Sequence, residues 1–215
     1  MSVMLTRFFL LAIHAVSSVF GYELPACEYP NQLAQRNAFT ICFNPGAEVA
    51  AWTIHELKLG VAAGARPTHF RRDAELNSAS NSDYRNSSYQ RGHLVPAADL
   101  AASPEGVSDS FLLSNVAPQL PAVNLSAMRR VENAIRKLAA SQSEPIVVIT
   151  GTLYDCGTEI KFTGANQVAV PCAFYKVTSS NQGVKATLVG NETEPSSESV
   201  PVEVLEQRTG LRFFH

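Results

Sequence analysis

A histidine two residues after an arginine, with glycine between them, poses the chemical question in this chain. The stretch is Arg91-Gly92-His93, inside YQRGHLVPAADL (residues 89–100). On an extended segment, positions i and i+2 face the same side. Arg91 and His93 can therefore address one ligand, and Gly92 permits close backbone approach. A guanidinium beside an imidazole disfavours the protonated ring and leaves the neutral form that a general base requires. A structural histidine beside a surface arginine is the plain alternative at this point.

Farther along, Asn124, Glu132 and Arg136 are spaced by eight and four residues. At about 100° per residue, Glu132 lies roughly 80° around a helix from Asn124, and Arg136 about 40° beyond it. Such a polar stripe suits a hydrated hard cation and a phosphate, because magnesium takes oxygen ligands and keeps several waters. The same residues also read as an N-cap followed by an ordinary i,i+4 Glu–Arg surface pair.

The elements that must position these side chains can be read in outline. Val49 to Leu59 is rich in β-branched and aromatic residues and predicts a strand. Asn77 to Ser88, rich in Asn and Ser, predicts an exposed loop. His93 to Leu100 begins extended, because Pro96 biases Val95 away from helix, and Phe111 to Val116 is a short apolar run. The spacing of Met128, Val131, Ile135 and Leu138 predicts a helix over 124–140, with Asn124 as N-cap, Pro121 just before it and Pro145 stopping it. Ile146 to Thr150 then predicts a buried strand ending at Gly151, and Val168 to Val177 another. Gln182 to Ser199 reads as polar and turn-rich. Strands and helices mix without a regular βαβ rhythm, which predicts an α+β fold.

The bulk properties bound the answer. The chain has 215 residues, 46% hydrophobic and 17% charged, with a net charge of −2. Arg7 precedes an apolar run from Phe8 to Phe20, and small residues surround Gly21. That pattern predicts a secretory signal peptide over 1–21, cleaved near Gly21–Tyr22. The run is shorter than the roughly 20 residues that span a bilayer, and residues 22–215 are enough for one domain with its own core. In an oxidising compartment the cysteines pair by default; of the three connectivities, the sequence-local one joins Cys27 to Cys42 and Cys156 to Cys172. The acidic balance excludes a broadly basic nucleic-acid protein. Yet Arg66, Arg71, Arg72, Arg85 and Arg91 cluster against only Asp73, Glu75 and Asp83. Asn86, Asn124 and Asn191 each head a glycosylation triplet.

Taken jointly, Arg-Gly-His at 91–93, Asn115-x-x-Pro118-Gln119, Asn124, and then Glu132 and Arg136 resemble the DNA/RNA non-specific endonucleases of the ββα-metal superfamily. Arg66, Phe70 and Asp73 in ARPTHFRRD look like that family's upstream arginine segment. Ile149-Thr150-Gly151, Val170-Pro171, Phe174 to Val177 and Glu206 to Phe214 look like its later strands and close. The resemblance implies a mixed or antiparallel central sheet carrying a ββα-metal motif with flanking helices. It implies a hydrolase of DNA and RNA leaving 5′-phosphates, with Mg2+ or Mn2+ bound through Asn124 and His93 as general base; the signal-peptide pattern adds the expectation of secretion, extracellular or periplasmic. Glu132 would orient a metal-bound water, and Arg66, Arg91 and Arg136 would clamp phosphate. Two departures are visible: Gln90 stands where the family has Asp, and Met128 where it often has Trp. A non-cutting nucleic-acid-binding relative and a disulfide-stapled extracellular structural protein are the alternative readings.

Overall fold

The computed structural model describes residues 18–57, 59 and 66–214. The expected signal peptide lies outside them up to residue 17, as does His215. Alternating apolar residues along successive segments build an antiparallel sheet. After a short hairpin of β1 (Ser18–Val19) and β2 (Tyr22–Glu23) come β3 (Leu33–Gln35), β4 (Phe39–Asn44) and β5 (Val49–Leu57). β6 (Gln90–His93), α1 (Pro104–Ser110), β7 (Val116–Gln119) and α2 (Arg129–Ala140) follow. Then come β8 (Ile146–Leu153), β9 (Lys161–Thr163), β10 (Val168–Val170), β11 (Ala173–Ser180), β12 (Gly183–Gly190), β13 (Ser197–Val200) and α3 (Val202–Thr209).

Seven strands form the central sheet in the order β13-β12-β11-β8-β5-β4-β3. Each neighbouring pair is antiparallel. Both faces are covered. On one, Phe39, Ile41, Phe43, Val49 and Phe174 pack with Leu94, Val116, Val123, Ala127 and Met128. On the other, Trp52, Ile54, Val147, Ile149, Tyr175 and Val177 pack with Leu205 and Phe213. Burial of each large apolar side chain contributes about 1.5–3 kcal/mol. The apolar stripe of α2 also lands on the first face: Val131 joins that core, and Ile135 and Leu138 pack on Leu57, Ile146 and Val148. The expected α+β fold with an antiparallel sheet is what forms. Among the described residues no helix is long and apolar enough to cross a membrane.

Both disulfides take the local pairing, Cys27–Cys42 and Cys156–Cys172. Several local expectations need correction. The stretch 77–88 is not simply exposed: Ser78, Ala79, Asp83 and Tyr84 are buried. Asn166 binds the Asp83 carboxylate through both its backbone and side-chain nitrogens, fastening the segment down. The single strand expected over 168–177 is broken between β10 and β11, because Pro171 lacks an N–H and Cys172 turns into its disulfide. The polar stretch 182–199 contains β12 and β13, whose outward residues are exposed at the sheet margin. Polarity there marks a solvated face, not the absence of strand.

Candidate active site

β6 and β7 form a two-stranded ribbon in which His93 lies opposite Val116 and Gly92 opposite Ala117. Gly92 serves packing within the ribbon. A Cβ there would sit 2.1 Å from Cδ of buried Gln119. The sequence reading had reserved that space for a ligand; the Gln119 side chain occupies it. Asn115, fully buried, then fixes the chain just past His93. Its Oδ1 accepts from the Val95 amide and its Nδ2 donates to the Val95 carbonyl, both at 3.0 Å. The Asn-x-x-Pro-Gln motif is thus the mould for the histidine segment.

His93 stands in an aromatic triangle with Phe70 and Phe111, all three pairs of ring centroids being 5.0 Å apart. Two features bring the phenylalanines there. Arg71 is stitched to the other segment through Arg71 N to Phe111 O (3.0 Å) and Leu113 N to Arg71 O (2.8 Å). Buried Asp73 anchors the first segment by accepting from Arg36 and Ser114, both at 2.6 Å. Each phenylalanine in turn carries an arginine on its face: Arg66 lies 5.2 Å from the Phe111 centroid and Arg91 5.3 Å from that of Phe70. Arg91 and His93 therefore share one side, as their i, i+2 spacing requires.

Desolvation among these rings, reinforced by the positive charge of Arg66, lowers the His93 pKa to about 4. The sequence reading gave that electrostatic part to Arg91; the structure gives it to Arg66, and makes burial the larger cause. Nε2 of His93 is buried with no hydrogen-bond partner among the described residues. A neutral ring with an open nitrogen is the state in which imidazole accepts a proton.

Asn124 is not an N-cap. Residues Val123–Met128 form a π-helical turn continuous with α2, and the Asn124 amide already bonds to Leu120 O at 3.0 Å. Such single π turns insert a residue into a helix and recur at functional sites. Here the side chain of Asn124 reaches back to the ribbon, where Nδ2 donates to Oε1 of Gln90 at 2.8 Å. With its nitrogen so committed, Oδ1 is the atom left to meet a hard cation, which takes oxygen ligands. The residues present fit a hard divalent cation bound by few direct protein ligands.

Glu132 and Arg136 follow on α2, and both are engaged from below. Glu132 Oε1 lies 3.7 Å from Nζ of Lys176. Burial raises the Glu132 carboxyl, and Lys176 opposes that rise. Arg136 pairs with Asp99 at 2.5 Å and donates to Asn133 at 2.8 Å. Burial would raise the Asp99 carboxyl, yet hydrogen bonds from His55 and Arg136 and the charge of Lys176 bring it below its ordinary value. His55 carries no motif in the sequence. It is wholly buried on β5 and donates from Nε2 to Asp99 at 3.2 Å. The sequence reading also passed over Lys176, Asp99 and the Phe70–Phe111 pair. An aspartate in HLVPAADL and a lysine inside an apolar strand were the available signals, since neither type is buried unpaired.

A profile of the DNA/RNA non-specific endonuclease family matches residues 22–215. The chain is 32% identical over 216 residues to mitochondrial endonuclease G of Homo sapiens, covering 89% of this chain and 71% of that protein. It is 29% identical to nuclease C1 of Cunninghamella echinulata var. echinulata, covering 84% of this chain and 81% of that one. Among solved structures, the crystal structure of the EndoG/EndoGI complex superposes with a TM-score of 0.77 at 26% identity, covering 86% of each chain.

Proposed function

This chain belongs to the DNA/RNA non-specific endonuclease family, and from that premise we propose that it is a secreted, magnesium-dependent nuclease leaving 5′-phosphates on DNA and RNA. Residues 1–21 are its signal peptide and 22–215 its single catalytic domain. Cys27–Cys42 and Cys156–Cys172 suit the oxidising side of a membrane. The observation that carries the site assignment is the Gln90–Asn124 hydrogen bond. It ties the candidate metal ligand to the strand that ends in His93.

In this mechanism Nε2 of His93 takes a proton from a water aligned with the phosphorus. The water oxygen bonds to phosphorus and the bond to the 3′ oxygen breaks; a proton from solvent water converts that oxygen to a 3′-hydroxyl, and the other product carries the 5′-phosphate. Asn124 would hold Mg2+ through Oδ1, and the ion, when bound, would supply positive charge to the phosphate and to the departing oxygen. Arg66 and Arg91, fixed over Phe111 and Phe70, donate to non-bridging phosphate oxygens. Arg136 adds positive charge from its place against Asp99, and Glu132 accepts from water around the cation. Contacts confined to the backbone explain cutting without sequence preference, because phosphates carry no sequence information.

Plasmid DNA and ribosomal RNA incubated with the mature protein test the reading. Both are degraded in Mg2+ and spared in EDTA, and end-labelling finds 5′-phosphates. Degradation that persists in EDTA, or intact nucleic acid in Mg2+, would reject it.

A further inference from the structure

One charged residue of the sheet core has no part in that mechanism. On β11, Phe174 and Lys176 point to the α2 side, while Tyr175 and Val177 point to the other. The Lys176 side chain is 1% exposed. Its register partner on β8 is Thr150, whose own partner on β5 is Thr53, so a row of three polar residues crosses the middle of the sheet on the α2 side. A buried ammonium is costly unless paired and hydrogen-bonded. Here it has two hydrogen-bond acceptors and one carboxylate at ion-pair distance. Nζ donates to Thr150 Oγ1 at 2.9 Å and to the Leu94 carbonyl at 3.2 Å, and Glu132 Oε1 lies at 3.7 Å. Asp99, held by Arg136 and His55, completes a cluster of two acids with Arg136 and Lys176 beneath the site.

The three partners belong to three separate segments. Thr150 is on the central strand, Leu94 directly follows the candidate base, and Glu132 lies on the helix that follows Asn124. An apolar residue at 176 would fill the same volume without joining any of them. We infer that Lys176 is a positioning residue of the nuclease site, whose buried ammonium locks Glu132 of α2 against the backbone just after His93. The inference rests on the endonuclease reading.

Comparison of Lys176→Met, Glu132→Gln and the double variant, each in the full mature chain, tests it. Loss of an outer supporting group of this kind lowers activity or metal affinity by about 10- to 100-fold. Lys176→Met is expected to lose about that much in kcat with KM for DNA nearly unchanged, and the double variant to be no slower than the slower single variant. Mn2+ titration followed by electron paramagnetic resonance, without substrate, is expected to show weaker binding to Lys176→Met. A full kcat in Lys176→Met, losses that multiply in the double variant, or unaltered Mn2+ affinity would each overturn the inference. Should Lys176→Met fail to fold by circular dichroism, Lys176→Gln keeps donors for Thr150 and Leu94 and is expected to give the same losses. Wild-type protein that cuts nothing would sink the endonuclease reading instead.

Discussion

Asn124 donates its side-chain amide to Gln90 at 2.8 Å, and Gln90 lies three residues before His93 on the same strand. The hydrogen bond fixes which end of the Asn124 amide faces outward. It also gives a role to the glutamine that replaces the family's aspartate, because a neutral amide oxygen accepts from Nδ2 as a carboxylate would. Gln90→Ala is expected to raise the Mg2+ concentration for half-maximal cleavage by about 10- to 100-fold, with near-normal kcat at saturating metal. Metal-titrated kinetics check this; an unchanged Mg2+ requirement would contradict the role.

The aromatic triangle sets the acid side of the pH profile. Without the structure, the ordinary imidazole pKa of about 6.5 predicts activity rising through pH 6–7. With the His93 pKa lowered to about 4 by burial and Arg66, the fall in kcat/KM on acidification is expected near pH 4. Phe111→Leu, which opens the ring to water, moves that limb upward. A limb near 6.5 in the wild type would show that His93 is not held in this environment.

The same shift has a consequence for stability. A histidine whose folded pKa lies below its unfolded value contributes stability that is complete above about pH 6.5. That contribution is lost as pH falls toward about 4, where the folded form also titrates. Urea melts of wild type and His93→Gln from pH 7 to 4 are expected to converge on acidification, the wild type losing more. Parallel curves would deny the shift.

Each disulfide closes a local loop, with sequence separations of 15 and 16 residues. Loop entropy gives about 3 kcal/mol each. At roughly 2–4 °C per kcal/mol for a domain of this size, Cys27→Ala/Cys42→Ala is expected to lower Tm by roughly 6–12 °C. Differential scanning calorimetry reads this directly, and a change under 2 °C would place the stabilisation elsewhere.

The three glycosylation triplets differ in structure. Asn191 uses its side chain three times, accepting from Leu120 N and donating to Pro118 O and Pro171 O. Asn124 is bound to Gln90, whereas Asn86 is exposed. In a glycosylating host, mass spectrometry is expected to find sugar on Asn86 alone. Active protein carrying sugar on Asn124 would exclude that residue as the metal ligand.

What the sequence revealed, and what it hid, divides along physical lines. β5 and β8 were legible as short runs rich in apolar and β-branched residues, buried on both faces, and α2 by the helical spacing of its apolar stripe. The Arg-Gly-His, Asn and Glu–Arg pieces were legible as a joint pattern. The π turn at Asn124 was not, since its backbone bonds differ from a regular helix without any change in residue type. Nor could spacing show that Arg66, nearly thirty positions before His93, supplies the charge beside it. The polar row of Thr53, Thr150 and Lys176 escaped because three strands distant in sequence must pair before it exists.

The most direct test is plasmid cleavage by His93→Ala in saturating Mg2+, with Asn124→Ala beside it. Both variants are expected to keep the wild-type fold by circular dichroism and to lose at least about a hundredfold in kcat/KM, the scale being about 10²–10⁴ for a lost general base. His93→Ala that folds and cuts within tenfold of the wild type would contradict the account.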